Sequence, residues 1–371
     1  MPLYLTDDQA MLRDTARGFI ADEGAIAKQL RHWRDKSCKD GFGHALWKQF
    51  AEMGFTGILI DEIDGGLGLG HVEAGIVLEE IGRNLTPSPF LTSAVAFVEA
   101  LKGTGARERW YPGILAGDTV AALAIDEGGK HRPEGIEMRA ERAGNGFSLS
   151  GRKQFVVHGA SADVTLVAAE TEEGLTLFAV EKGATGLDVE GVRLADSSIG
   201  ARLTFENVEV DADAVIGEVG GGAAVLSRAL NAGRTGAAAE LVGVGSASMD
   251  MTVDYLKQRK QFGKLIGEFQ ALQFRAAHLY SELEIARAAT LKAQQLLDDG
   301  AENAEAMVSV AKAKAGRASQ LAVQEGVQMH GGIGMTDEYD IGLYMKRDRV
   351  LNELFGDPAY HADRLARMKG Y

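Results

Sequence analysis

A single cysteine, Cys38, stands in a chain of 371 residues. One thiol forms neither an internal disulfide nor a cysteine-based zinc site, and that usage suits the cytoplasm. No uncharged apolar run of about 20 residues is present, so no membrane span is expected. The opening Met-Pro-Leu-Tyr-Leu-Thr-Asp-Asp has no basic stretch ahead of an apolar one, so no signal peptide is expected. Positive charge is scarce: 39 Lys and Arg face 53 Asp and Glu, a net charge of -14. Nucleic-acid binding therefore has no electrostatic support. The chain also lacks short internal repeats, low-complexity linkers and any evident set of metal ligands.

The remaining composition is ordinary for a globular protein. Hydrophobic residues make up 46% and charged residues 25%, and the length is enough for two or three domains with substantial cores. The first third reads helical. Thr6 with Gln9 has the spacing of a capping box, and Leu12, Ala16, Phe19 and Ile20 recur at helical intervals. Trp47, Phe50 and Met53–Gly54 predict a second helix with a glycine cap. Asp64–Gly70 predicts a loop and Ala74–Ile81 another helix, after which Pro87 and Pro89 break the pattern. From Ala121 the pattern turns to short β-rich runs at Gly146–Leu149, Phe155–Val157, Val164–Ala168, Leu175–Val180 and Ala201–Val208. Turn residues such as Gly144–Asn145–Gly146 separate them, a spacing that predicts a sandwich or barrel. From Gly220 the pattern is helical again. Ala223–Leu256, Phe274–Leu297 and Ala304–Met329 predict three long amphipathic helices with Glu and Lys on their outer faces, and a shorter terminal helix completes an up-down bundle. The expectation is an α+β chain with a helical region over 1–117, a β region over 118–217 and a helical bundle over 218–371.

Two glycine-broken segments carry candidate chemistry. The first is Arg259–Lys260–Gln261–Phe262–Gly263 with Phe269–Gln270 after it. Its plain reading is a solvated turn between helices. Its functional reading is an anion cradle, because an arginine fork suits a pyrophosphate, an aromatic covers an adenine face and a glutamine both donates and accepts. The second is Gln328–Met329–His330–Gly331–Gly332–Ile333–Gly334. Here the plain reading is a helix ending on glycine, and the functional one is a backbone that a ligand approaches closely. No strand precedes it, so it is not a dinucleotide fingerprint of the Rossmann kind.

Together these segments resemble the C-terminal signature of the acyl-CoA dehydrogenases. Lys346–Arg347–Asp348 is similar to that family's Arg-Asp turn. Gly151–Arg152–Lys153, ahead of a strand, stands where the family has Gly-x-Lys-x-Trp-Ile-Thr. The helical, β, helical order agrees as well. The resemblance implies an N-terminal helical domain, a middle β-sandwich or barrel and a C-terminal four-helix bundle. It implies FAD as cofactor, an acyl-CoA thioester as substrate and an electron-transfer flavoprotein as electron acceptor, in lipid metabolism. A glutamate base removes the proton beside the thioester while the flavin takes a hydride from the neighbouring carbon.

Several positions depart from that pattern. The usual glutamate falls on Gly356, and the alternative seat, just before Arg234, falls on Gly233. Asp357 is the one nearby carboxylate. It reads as an Asx-turn ahead of Pro358 or as a displaced base. Arg234 is a candidate substrate-binding residue by its place beside the second seat. The family's Thr-Glu-Pro-x-x-Gly-Ser segment lies near Ala124–Gly129 without its Thr and Ser. Trp-Ile-Thr reads Phe155–Val156–Val157, and Val157 lacks a hydroxyl to donate. The family's Thr and Gln after the base fall on Pro358 and Tyr360.

In the family each FAD site is shared across a subunit boundary, and here the losses fall on one side of it. The residues that would complete a neighbour's site, Arg259, Phe262, Gln270, Gln328, Gly331 and Gly332, are all retained. The expectation is a base-lacking subunit that joins a second acyl-CoA dehydrogenase-family subunit in a heterotetramer. Divided enzymes of this kind act on bulky or unusual acyl-CoA esters, including steroid side chains and dicarboxylic acyl groups. The alternatives are a homotetramer that uses Asp357 as base, and a non-catalytic scaffold or binding protein that keeps only the fold.

Overall fold

The computed structural model describes residues 3–371. The helical, β, helical order of the chain is as expected. The first part carries α1 (Asp7–Glu23), α2 (His32–Asp35), α3 (His44–Glu52), α4 (His71–Asn84), α5 (Val98–Leu101) and α6 (Arg107–Leu115). Thr6 and Gln9 close the anticipated capping box on α1, which buries Ala16 and Ile20. Helix α3 ends as its glycine predicts, with Gly54 at φ +76°. Seven strands come next: β1 (Ala121–Ala124), β2 (Arg139–Ala143), β3 (Gly146–Val157), β4 (Val164–Thr171), β5 (Gly174–Glu181), β6 (Leu187–Arg193) and β7 (Ile199–Val210). Then come α7 (Gly222–Gln258), a hairpin of β8 (Lys260–Gln261) and β9 (Lys264–Leu265), α8 (Gln270–Asp298), α9 (Ala304–His330), α10 (Ile341–Glu353) and α11 (Pro358–Met368).

The contacts group the chain into two compact units, each assembled from separated segments. One holds residues 29–70 and 87–233, and therefore the sheet. Its strands run β1-β4-β2-β3-β7-β6, with β5 also paired to β4. The β1–β4 pairing is parallel, whereas β2–β3, β3–β7, β4–β5 and β6–β7 are antiparallel. Strand β4 is almost wholly buried, as central strands are. Gly146–Leu149 and Phe155–Val157 belong to one strand, β3, rather than two. Register shifts between Leu149 and Gly151 and between Lys153 and Val156 interrupt it, which is why its alternation breaks in the sequence.

The other unit holds, among the described residues, 3–28, 71–86 and 234–371. Helix α1 packs on α4, α4 on α8, and α9 on α8, α10 and α11. Gly82 and Gly243 let α4 and α7 cross at close range. A Cβ on Gly82 would lie 2.1 Å from the Glu240 carbonyl oxygen, and one on Gly243 would lie 2.0 Å from that of Glu79. Two expectations are corrected here. The last helical stretch is two helices, α10 and α11, broken at Leu354–Asp357. Lys346–Arg347–Asp348, expected at a turn, lies inside α10, where Arg347 reaches the buried Glu240 carboxylate at 2.8 and 2.6 Å. Among the described residues no helix is long and apolar enough to cross a membrane.

Candidate functional site

The first glycine-broken segment is a two-residue hairpin. Phe262 and Gly263 both take positive φ, +54° and +81°, the conformation that a tight two-residue turn requires. Glycine adopts it without cost, whereas phenylalanine does so only under constraint. The turn pushes Phe262 outward, and the side chain is 88% exposed. Its ring meets Phe269 edge to face at 6.2 Å.

The second segment ends α9. Gly331 at φ +65° stops the helix. The His330 ring lies stacked on Tyr255 at 4.4 Å, and its Nδ1 stands 2.7 Å from the Gly326 carbonyl oxygen. That carbonyl accepts only, so Nδ1 carries the hydrogen and Nε2 of the neutral ring is an acceptor. Burial pushes the imidazole below its ordinary range, toward that neutral form. Nε2 is buried and has no hydrogen-bond partner among the described residues.

The two segments converge. Arg259, Phe262, Phe269, Gln328, Gly331 and Gly332 line one groove of about 530 Å³. A Cβ on Gly331 or Gly332 would meet nothing within 4 Å, so the backbone there faces open space. Arg259 has no ion-pair partner among the described residues, while Arg275 in the same groove pairs with Glu325. Gln270 is the first residue of α8 and is exposed outside the groove lining. An unpaired guanidinium, an uncovered backbone and a projecting aromatic ring suit the phosphate and adenine parts of a dinucleotide.

The two positions where the family resemblance places a base, 356 and 233, look different. Gly233 is buried within α7. Gly356 has φ +104° in the α10–α11 connection. Arg234 is 2% exposed. Its Nε donates to the Phe355 carbonyl at 3.3 Å and its Nη2 to the Tyr360 hydroxyl at 3.1 Å. Asp357 is the N-cap of α11, and its carboxylate accepts the Tyr360 amide hydrogen at 2.8 Å, with Pro358 in the first turn. That is the helix-start geometry the Asp-Pro pair favours.

In the sheet unit, the segment near Asp126–Gly129 is occupied by its own ion pairs. The Asp126 carboxylate lies 3.0 Å from His131 Nδ1 and accepts the Arg132 amide at 3.0 Å. Glu127 accepts from Lys153 Nζ at 2.6 Å and from the Glu137 and Met138 amides at 2.8 and 3.0 Å. Lys153 is 0% exposed, and burial lowers its pKa against the pull of Glu127. Val157 is buried and its side chain offers no polar atom. These residues present no hydroxyl donor to a flavin, so they do not fit the cofactor as the groove does.

Models of the acyl-CoA dehydrogenase N-terminal domain and C-terminal domain match residues 6–118 and 220–369. The mitochondrial isovaleryl-CoA dehydrogenase of Arabidopsis thaliana is 33% identical over 369 residues, covering 95% of this chain and 88% of its own. Among solved structures, a variant of the Tcur3481-Tcur3483 steroid ACAD superposes with a TM-score of 0.90 at 29% identity, over 98% of each chain. The ChsE4-ChsE5 complex from Mycobacterium tuberculosis gives 0.90 at 24% identity over 100% of each, a likeness of fold. The chain belongs to the acyl-CoA dehydrogenases, a family of FAD-dependent oxidoreductases.

Sequence reasoning missed three features of the site. Lys153 carries no local mark of its burial. Lys312, in a helix expected to turn its lysines outward, is 0% exposed; its signal was a lysine flanked by Ala311 and Ala313 at an apolar helical interval. The Arg234–Tyr360 contact joins residues 126 positions apart, and nothing local marks it.

Proposed function

We propose that this chain is the base-lacking subunit of a heteromeric acyl-CoA dehydrogenase that desaturates the α,β bond of an acyl-CoA thioester. Its groove at Arg259, Phe262, Gln328, Gly331 and Gly332 completes the FAD site of a second family subunit, which carries the base. Bound FAD supplies the hydride acceptor, and an electron-transfer flavoprotein takes the electrons onward. Gln270 joins the same contact from the start of α8. Arg234, the candidate substrate-binding residue, holds the connection at Phe355. The substrate is a bulky acyl-CoA ester, and the enzyme is cytoplasmic.

The observation that carries this reading is Gly356. The position has no side chain to accept a proton and a φ that a carboxylate-bearing residue rarely adopts. Asp357, one residue on, is used as a helix cap. The retained groove and the ion-paired Asp126–Lys153 region support the same division, with one competent flavin surface and one that is not. The kinship in sequence to isovaleryl-CoA dehydrogenase supports the reaction class.

The test is expression of the chain alone and with a family subunit encoded beside it. Native mass spectrometry with flavin quantified by absorbance is expected to give a heterotetramer with one FAD per heterodimer. Turnover of acyl-CoA esters with an artificial electron acceptor is expected only from the pair. A homotetramer with FAD on every copy, whose turnover Asp357→Asn abolishes, would overturn the reading.

A further inference from the structure

The seat at Gly356 is filled from outside. A Cβ built there would lie 2.4 Å from Cδ1 and 2.9 Å from Cε1 of the Tyr360 ring, and 3.1 Å from His361 Nε2. A Cβ does not approach ring carbons at the first two of these distances, so the ring would have to move. It is held in place. Arg234 Nη2 donates to its hydroxyl at 3.1 Å, and the guanidinium carbon lies 5.5 Å from the ring centroid. The His361 ring meets it edge to face at 5.2 Å. The backbone beneath is held too, since the Phe355 carbonyl accepts from Arg234 Nε at 3.3 Å and from His361 Nε2 at 3.1 Å. Arg234 directly follows Gly233, so the residue that tethers the ring in the first seat stands beside the second.

We infer that Tyr360, tethered by Arg234, is a fixed plug in the seat at position 356, so that no single substitution there returns a base to this chain. The inference rests on the reading of position 356 as the place a base would take. It makes the loss of the carboxylate a closed state of the fold, in which the bulk of a side chain at 356 is supplied by residue 360. Two obstacles then oppose any side chain at 356. One is steric and belongs to Tyr360. The other is the positive φ, which belongs to the backbone and persists when the ring is removed.

The experiment is a double-mutant cycle on the assembled complex, read by thermal unfolding and by turnover. Gly356→Ala and Gly356→Glu are each made in the wild-type, Tyr360→Phe and Tyr360→Ala backgrounds. In the wild type and in Tyr360→Phe, both substitutions at 356 are expected to lower Tm by several degrees and to add no turnover. In Tyr360→Ala the Gly356→Ala loss is expected to shrink by roughly half, as the steric part disappears and the φ part remains. Tyr360→Val, which keeps some packing, replaces Tyr360→Ala where that variant does not fold. Gly356→Glu with the wild-type Tm, or a loss of equal size with and without the ring, would overturn the plug. Acyl-CoA turnover by the unmodified chain alone would overturn the base-lacking reading and leave the melting comparison intact.

Discussion

Lys312 Nζ, fully buried in α9, donates to the Gly356 carbonyl oxygen at 3.0 Å. The same ammonium donates to the Leu351 and Asn352 carbonyls at 2.9 and 3.2 Å. These are in the last turn of α10, where a side-chain donor satisfies orphan carbonyls. One side chain therefore ends α10 and fixes the connection that carries Gly356.

That arrangement sets a pH dependence. Burial lowers Lys312 from 10.5 to about 7. Between these values the unfolded chain binds a proton that the folded one does not, so stability rises with pH across the window. Burial raises Asp348, on the neighbouring helix, from 3.8 to about 6. There the folded chain holds the extra proton, and its contribution is full below the lower value and lost as pH rises through the upper. Denaturant unfolding at a series of pH values is expected to show a flatter slope above about pH 7 in Lys312→Met, and a flatter one between about pH 4 and 6 in Asp348→Asn. Curves parallel to wild type in both windows would contradict the assignment.

The groove gives a direct binding prediction. On the proposed reading, Arg259→Ala removes a charge-assisted contact to phosphate, typically about 1.5–3 kcal/mol. Flavin retention by the assembled complex is expected to weaken by about ten- to a hundredfold, as measured by equilibrium dialysis. Unchanged affinity would remove Arg259 from the site.

Phe262 separates stability from binding. The residue sits at φ +54°, so Phe262→Gly relieves backbone strain in the hairpin. The variant is expected to match or slightly exceed the wild-type Tm and to bind flavin less well in the complex. A clear drop in Tm would mean that the exposed ring supports the fold instead.

The Lys153–Glu127 pair is a prediction about the sheet. Removing one partner of a buried pair typically costs about 3–5 kcal/mol, whereas replacing both with apolar groups is often near neutral. Glu127→Gln is expected to lower stability by the smaller of those figures, since Lys153 sheds its proton more readily than an ordinary lysine. Lys153→Met combined with Glu127→Gln, which keeps an acceptor for the Glu137 and Met138 amides, is expected to recover most of it. Denaturant titrations of the two variants decide the matter.

The sequence by itself determined the order of helical and β regions, because periodicity follows from which residues must face a core. It determined the capping box at Thr6, the glycine stop after His330 and the pieces of the groove, because caps and turns depend on neighbours a few positions away. It also showed glycine at 356 and 233, the positions where the family resemblance places a base, since a missing side chain is legible without coordinates. Only the tertiary structure decided that Gly146–Leu149 and Phe155–Val157 form one bulged strand, for a register shift depends on the partner strand. Only it decided that Lys312 and Lys153 are buried, that Arg347 pairs with Glu240 from inside a helix, and that the Tyr360 ring fills the space at Gly356. Each of these rests on atoms far apart in the chain or on the path the backbone takes, and burial, ion pairing and steric exclusion are properties of what folding brings together.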